Sequence, residues 1–269
     1  ALGFMGCMVQ SNSIGETCAA AFGVPSWSVG IVVAVLAAVV FLGGIQRIAG
    51  VTEKLVPIMA ALYLLGGLVV LVCRVRYLPE AVGMIFRYAF VPNAIIGVSQ
   101  GVKRGLFSNE AGMGSTPHAH AMAKVKHPHE QGVVAMTGVF IDTFVVLTMT
   151  ALVVISTLYA GNGILSAGAA EGVSKANMAQ LAFGTVLGSR AGSMFVAVCL
   201  LFFAFSTILS WNFFGRLNVS WLLGEKAVGV YSVLAIGFIV LGSCLSNDLV
   251  WELAGLFNQL MVLPNVLAL

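Results

Sequence analysis

Two adjacent hydroxyls, Ser206 and Thr207, stand in the otherwise apolar run FFAFSTILSWNFFGR. A hard cation takes several oxygen ligands, and hydroxyls beside a carbonyl released by local distortion suit one. Most Ser and Thr side chains in apolar helices instead donate back to the preceding turn, so the pattern alone leaves both readings open. Asp142, within GVFIDTFVVLTMTALVV, is the next group able to do chemistry. A carboxylate at the centre of a membrane helix costs about 2.5 to 3.5 kcal/mol. It must therefore be paired, protonated or turned to a cavity, and an ion or proton role stands beside a structural hydrogen bond. Nearer the start, Gln10, Ser13 and Thr17 recur at helical spacing on one face, where they meet either neighbouring helices or a polar ligand.

The most polar stretch is GVSQGVKRGLFSNEAGMGSTPH, residues 97–118. Gly97, Gly101, Gly105, Gly112 and Gly114 leave its backbone free, and Pro92 and Pro117 limit regular helix on either side. These residues predict a broken helix. A break at membrane depth exposes amides and carbonyls that lipid cannot satisfy, so it survives only against protein or a solvated cavity; this makes the stretch a candidate ligand site. His118, His120, His127, His129 and Glu110 raise a metal-dependent enzyme as a competing reading, but HAH and HPH lack the i, i+4 spacing of a His-Glu-x-x-His helix. Ser108 has no GxSxG elbow around it, which weakens a serine hydrolase further.

These residues must be positioned by a membrane fold. The 269 residues are 59% hydrophobic and 9% charged, with mean hydropathy +1.02, against about 25% charged in an ordinary soluble domain. Apolar runs of about twenty residues suit spanning helices and lack the alternation of a barrel. The formal charge of +3 and pI near 8.7 come from scattered Lys and Arg, which argues against nucleic acid. Cys7, Cys18, Cys73, Cys199 and Cys244 are odd in number and widely spaced, and read as small core residues. Eight segments follow, at about 1–22, 26–46, 55–73, 80–107, 132–159, 190–214, 228–246 and 249–269. If they alternate, Arg47, Lys54, Lys103, Arg104, Lys124, Lys126, Arg216 and Lys226 share one side, against Arg74, Arg76, Arg87, Lys175 and Arg190 on the other. The larger basic set is expected in the cytoplasm. Gly43-Gly44, Gly66-Gly67 and Gly138 read as close-packing positions, and KANMAQLAFGTVLG, in the loop 160–189, as a short helix over an entrance. The opening ALGFMGCMVQSNS and the ending LPNVLAL give no signal peptide or polar tail, and both are expected to lie inside a longer protein.

The run GVKRGLFSNEAGMGSTPHAHA, with MVQSNS before it and GVFIDTF, FAFSTIL and NQLMVLPN after it, resembles the alanine or glycine:cation symporter family of bacteria and archaea. The match follows the whole chain in order. The resemblance implies an all-α polytopic membrane protein with the leucine-transporter inverted repeat. Residues 1–269 then form one transmembrane transporter domain holding core helices three to ten, with the first two helices outside this sequence and a shortened stretch before GVKRG.

It further implies sodium-coupled uptake of a small neutral amino acid, L-alanine, glycine or a similar one, across a bacterial or archaeal inner membrane. No covalent chemistry follows from it, no cofactor beyond the coupling sodium ion, no other metal and no nucleic-acid partner. By position, Gln10, Val98, Ser99, Gln100 and Gly101 would line the substrate pocket, and the carbonyl of Phe203 with Ser206 and Thr207 would hold sodium. A membrane channel, and behind it the metal-dependent enzyme, are the alternatives.

Overall fold

The computed structural model describes residues 1–91, 94–168, 172–174 and 177–268, so Pro92 and Lys175, both used above, lie outside the described residues. Everything regular among those residues is helical. A π-helical turn, Leu2–Gly6, opens into α1 (Cys7–Phe22). It is followed by α2 (Ser26–Leu42), α3 (Gly44–Cys73), α4 (Leu78–Ala89), α5 (Ala94–Asn109) and the short α6 (Pro117–His120). A continuous helical run, Pro128–Tyr159, contains α7 (Pro128–Phe140) and α8 (Thr148–Val154) with π-helical stretches after each. Then come α9 (Met178–Leu187), α10 (Ser189–Leu223), α11 (Glu225–Cys244) and α12 (Asn247–Ala268).

Gly44–Cys73, Pro128–Tyr159, Ser189–Leu223 and Glu225–Cys244 are each long and apolar enough to cross a membrane, and α4 with α5 reaches that length only as a bent pair, at 107°. The chain is a multi-pass membrane protein. The helix break falls inside the stretch 97–118, at its later glycines. Gly97, Gly101 and Gly105 lie inside α5, and the regular helix ends at Asn109. Glu110 takes φ 55°, and Gly112 and Gly114 are left-handed at φ 77° and 81°. The interruption is thus confined to residues 110–116, where Asn109 Oδ1 accepts from the Ala111 amide and closes the turn.

The chain divides into two compact units. The first, residues 1–61, 113–122 and 196–269, is built on α1, α2 and α11. Met8 and Val9 pack with Val250 and Ala254, and Asn12 fastens α1 to the far end of α11. Its Nδ2 donates to the carbonyls of Gly242 and Leu245, both at 2.9 Å, while its Oδ1 accepts from Asn247 at 3.1 Å. Asn247 Nδ2 also reaches Glu16 at 2.9 Å. Arg216 donates to the carbonyl of Phe41 at 2.7 Å, meeting an orphan acceptor in the last turn of α2. A Cβ at Gly114 would stand 2.8 Å from that of Asn265, so this turn needs glycine for both space and φ.

The second unit, residues 62–112 and 123–195, has a different set of ties. Phe195 lies against Gly66 and Met149 against Gly67, as expected of a close-packing pair. Gly138 has nothing within 4 Å of a Cβ, and Gly44, at φ 75°, is a backbone breaker rather than a packing position. Tyr63 and Thr150 share a 2.6 Å hydrogen bond. Arg74 donates twice to the carbonyl of Ser156, at 3.0 and 2.8 Å. The short helix expected after residue 177 is α9, with Phe183 buried against Tyr63 and Phe195.

The α1–α11 contact yields a test. A Cβ at Gly242 would fall 2.5 Å from both Cα and O of Met8, backbone atoms that cannot turn aside. Gly242→Ala is expected to destabilise the protein by about 1 to 3 kcal/mol through overpacking. Gly237→Ala on the same helix meets nothing within 4 Å and should be neutral or stabilising by up to about 1 kcal/mol. Thermal unfolding in detergent separates them, and equal stability of the two variants contradicts the packing.

Candidate functional site

Three oxygens gather within one turn of α10. Ser206 Oγ donates to the carbonyl of Phe203 at 2.9 Å, and Thr207 Oγ1 donates to the same oxygen at 2.8 Å. Ser206 is 4% exposed, with Met59 Sδ 3.4 Å from its hydroxyl. Both hydroxyls therefore back-bond, as isolated Ser and Thr side chains on an apolar helix do. Each spends its single proton on Phe203 O and keeps oxygen lone pairs free for another ligand. The arrangement is a cluster of hard, neutral donors suited to a cation rather than to an anion.

The contacts of α1 with α10 set the level of Gln10. Gly6 faces the Trp211 ring, which a Cβ at Gly6 would meet at 2.5 Å. Cys7 Sγ points to the carbonyl of Ile208 at 3.9 Å. Gly3 and Gly215 approach the same Tyr231 hydroxyl. Rising numbers on one helix thus meet falling numbers on the other. One further turn, Gly6 to Gln10 on α1 and Trp211 to Thr207 on α10, brings Gln10 to the level of the hydroxyl pair. Gln10 is half-buried and makes no side-chain hydrogen bond to any described residue. Its stripe partner Thr17 donates to its own helix, at Ser13 O, 2.6 Å away.

Gln10, Phe203, Ser206 and Thr207 all lie in the first unit. Val98, Ser99, Gln100 and Gly101 lie in the second unit, all exposed on α5. Asp142 also lies there, and both its carboxylate oxygens accept from Ser108 Oγ, at 3.1 and 2.9 Å. Next to it, Asn109 Nδ2 donates to Thr143 Oγ1 at 3.1 Å. Asp142 is therefore held in a structural hydrogen bond between α5 and the 128–159 run, the reading that stood beside an ion role. Ser108 spends its proton on that carboxylate and has no histidine beside it. Among the described residues, no three His, Cys, Asp or Glu side chains gather closely enough to hold a metal ion. Sequence reasoning marked Asn12 only as one of the polar residues interrupting the first apolar segment, and did not reach Asn212, Trp211 or Tyr231. The amides are visible as polar residues in apolar runs, yet which of them bridge helices depends on contacts more than 200 residues apart, as for Asn12 with Gly242.

Comparison with known proteins adds the ancestry. The family model described as the sodium:alanine symporter family matches residues 1–269. The chain is 39% identical to the sodium/alanine symporter AgcS of Methanococcus maripaludis, over 98% of this chain and 58% of that protein. It is 34% identical to the amino-acid carrier protein AlsT of Bacillus subtilis, over 97% of this chain and 55% of that one. To the probable sodium/glutamine symporter GlnT of Bacillus subtilis the identity is 33%, over 97% and 54%. The chain thus spans somewhat more than half the length of these relatives.

Gln10 and Asn12 stand two residues apart and are expected to behave oppositely. Asn12→Ala abandons two buried carbonyls and should cost about 1 to 3 kcal/mol of stability. Gln10→Ala loses no internal partner and should stay within about 0.5 kcal/mol of the parent. Chemical or thermal unfolding of the purified protein reads this, and a strongly destabilised Gln10→Ala would return Gln10 to the structural class.

Proposed function

The chain belongs to the sodium:alanine symporter family, and on that premise we propose that the protein is a sodium-coupled symporter of small neutral amino acids, alanine or glycine, working by alternating access in a bacterial or archaeal inner membrane. Residues 1–269 act as one transporter domain. Sodium sits against Phe203 O, Ser206 Oγ and Thr207 Oγ1, with the remaining oxygens from other parts of the protein. The amino acid sits beside it, met by Gln10, while Val98, Ser99, Gln100 and Gly101 are substrate-facing by the family resemblance alone. The Gln10 amide accepts from the substrate ammonium or donates to its carboxylate.

The single observation that carries the reading is the oxygen cluster on the buried side of α10, at the level of an unpartnered Gln10. Neutral oxygens bind a monovalent cation without the permanent charge that would hold it too tightly to release. Coupling follows because the two ligands share a site. If sodium raises amino-acid affinity by some factor, the amino acid raises sodium affinity equally, and the pair is carried together. A small pocket favours small side chains, and because a glutamine symporter is among the relatives, unlabelled glutamine is the informative competitor.

Alanine uptake measured against sodium concentration, with membrane protein level as control, tests the site. Ser206→Ala and Thr207→Val should each raise the sodium concentration for half-maximal uptake at least several-fold, since the ion loses an oxygen that water cannot replace in a closed site. Alanine affinity should fall as well and recover at high sodium. Curves superimposable on the parent would end the assignment of this cluster to sodium.

A further inference from the structure

Among the buried polar atoms of the first unit without a partner among the described residues, three gather on Tyr231 and Asn212. Tyr231, on α11, is 7% exposed, and its hydroxyl is wedged between two backbones. A Cβ on Gly3 or on Gly215 would stand 1.9 Å from Oη, so only glycine leaves room at either position. Among the described residues this hydroxyl has no hydrogen-bond partner. Asn212, one turn before Gly215 on the same face of α10, is 0% exposed, and neither its Nδ2 nor its Oδ1 has a partner. Each such group left unmade carries the full cost of its desolvation, a large share of a folded protein's small net stability.

We propose that the junction of α1, α10 and α11 is a binding site for water, in which one ordered molecule bridges the Asn212 amide and the Tyr231 hydroxyl. Residues three apart on a helix stand about 5 to 6 Å apart at Cβ. Tyr231 Oη stands 1.9 Å from the Cβ position of Gly215, which sets the hydroxyl one turn from Asn212 on the same face of α10. A buried water needs two to four polar partners. Asn212 offers a donor and an acceptor, and Tyr231 offers one of each on a single oxygen. One turn before Asn212, the carbonyl of Ile208, which also takes its own helix bond, receives a 3.9 Å contact from Cys7 Sγ. The ligand is neutral rather than a cation. The amide hydrogens point donors at it, no carboxylate stands among these residues, and Arg216 follows directly after Gly215 with its guanidinium half-buried in the same unit.

Thermal unfolding of the purified full-length protein in detergent distinguishes a watered junction from a dry one. A hydroxyl that holds water stabilises, whereas a hydroxyl without a partner is better removed. Tyr231→Phe and Asn212→Leu are each expected to lower the midpoint by roughly 2 to 4 °C, and the double variant by clearly less than the sum, because both remove the same molecule. A midpoint unchanged or raised in Tyr231→Phe overturns the proposal. If Asn212→Leu fails to fold, the tyrosine variant and a density map decide. The map should show a water oxygen within hydrogen-bond distance of both side chains. A junction empty at a resolution that reveals other internal waters overturns it as well.

Discussion

Inside a membrane there is no water to satisfy a stray amide, carbonyl or hydroxyl, and the placement of polar groups in this chain follows from that. The second turn of α1 would carry a buried amide at Asn12 at great cost, were it not aimed at the carbonyls that α11 and the turn after it leave open. The last turn of α2 would expose the carbonyl of Phe41, were Arg216 not there to meet it. Arg74 does the same for Ser156 in the second unit. Thr17, Thr157 and Ser232 each return their protons to their own helix. Helices that cannot gain stability from hydrophobic contrast with lipid are thereby joined by small-residue packing and side-chain-to-carbonyl bonds.

Against that background, the atoms left over carry the functional reading. Ser206 and Thr207 meet the constraint cheaply, by sharing one carbonyl, and so hold three oxygens close together without burying a charge. Such a cluster is stable when empty and useful when a cation arrives. Gln10 is the complementary case, a half-buried amide that makes no side-chain hydrogen bond among the described residues. Polar capacity kept unspent at one level of a membrane bundle is what a transporter of a small zwitterion and an ion needs.

Much of the architecture was legible because lipid imposes length and hydropathy on a helix. The apolar runs are helical, but among the described residues four helices are long and apolar enough to cross a membrane, the run at 80–107 is the bent pair α4 and α5, and α10 reaches Leu223 rather than 214. Asp142 was foreseen as needing a partner, a proton or a cavity, though not that Ser108 would be the partner. The break falls inside the predicted stretch, at its later glycines and not at its earlier ones. Gly97, Gly101 and Gly105 lower helix propensity by about 1 kcal/mol each, yet propensity is a weak prior, and the turn forms where Asn109 can cap it. The sealed pair Asn212 and Tyr231 was not readable at all, since Gly3, Gly215 and Tyr231 are separate in sequence and meet only through the crossing of three helices.

The central claim is that an inward sodium gradient drives amino-acid accumulation. Radiolabelled alanine uptake into proteoliposomes holding the full-length protein, with the sodium gradient imposed or collapsed, tests it most directly. The account predicts accumulation above the external concentration only while the gradient stands. Uptake that merely equilibrates, or that is indifferent to sodium, would contradict it and return the protein to the class of channels.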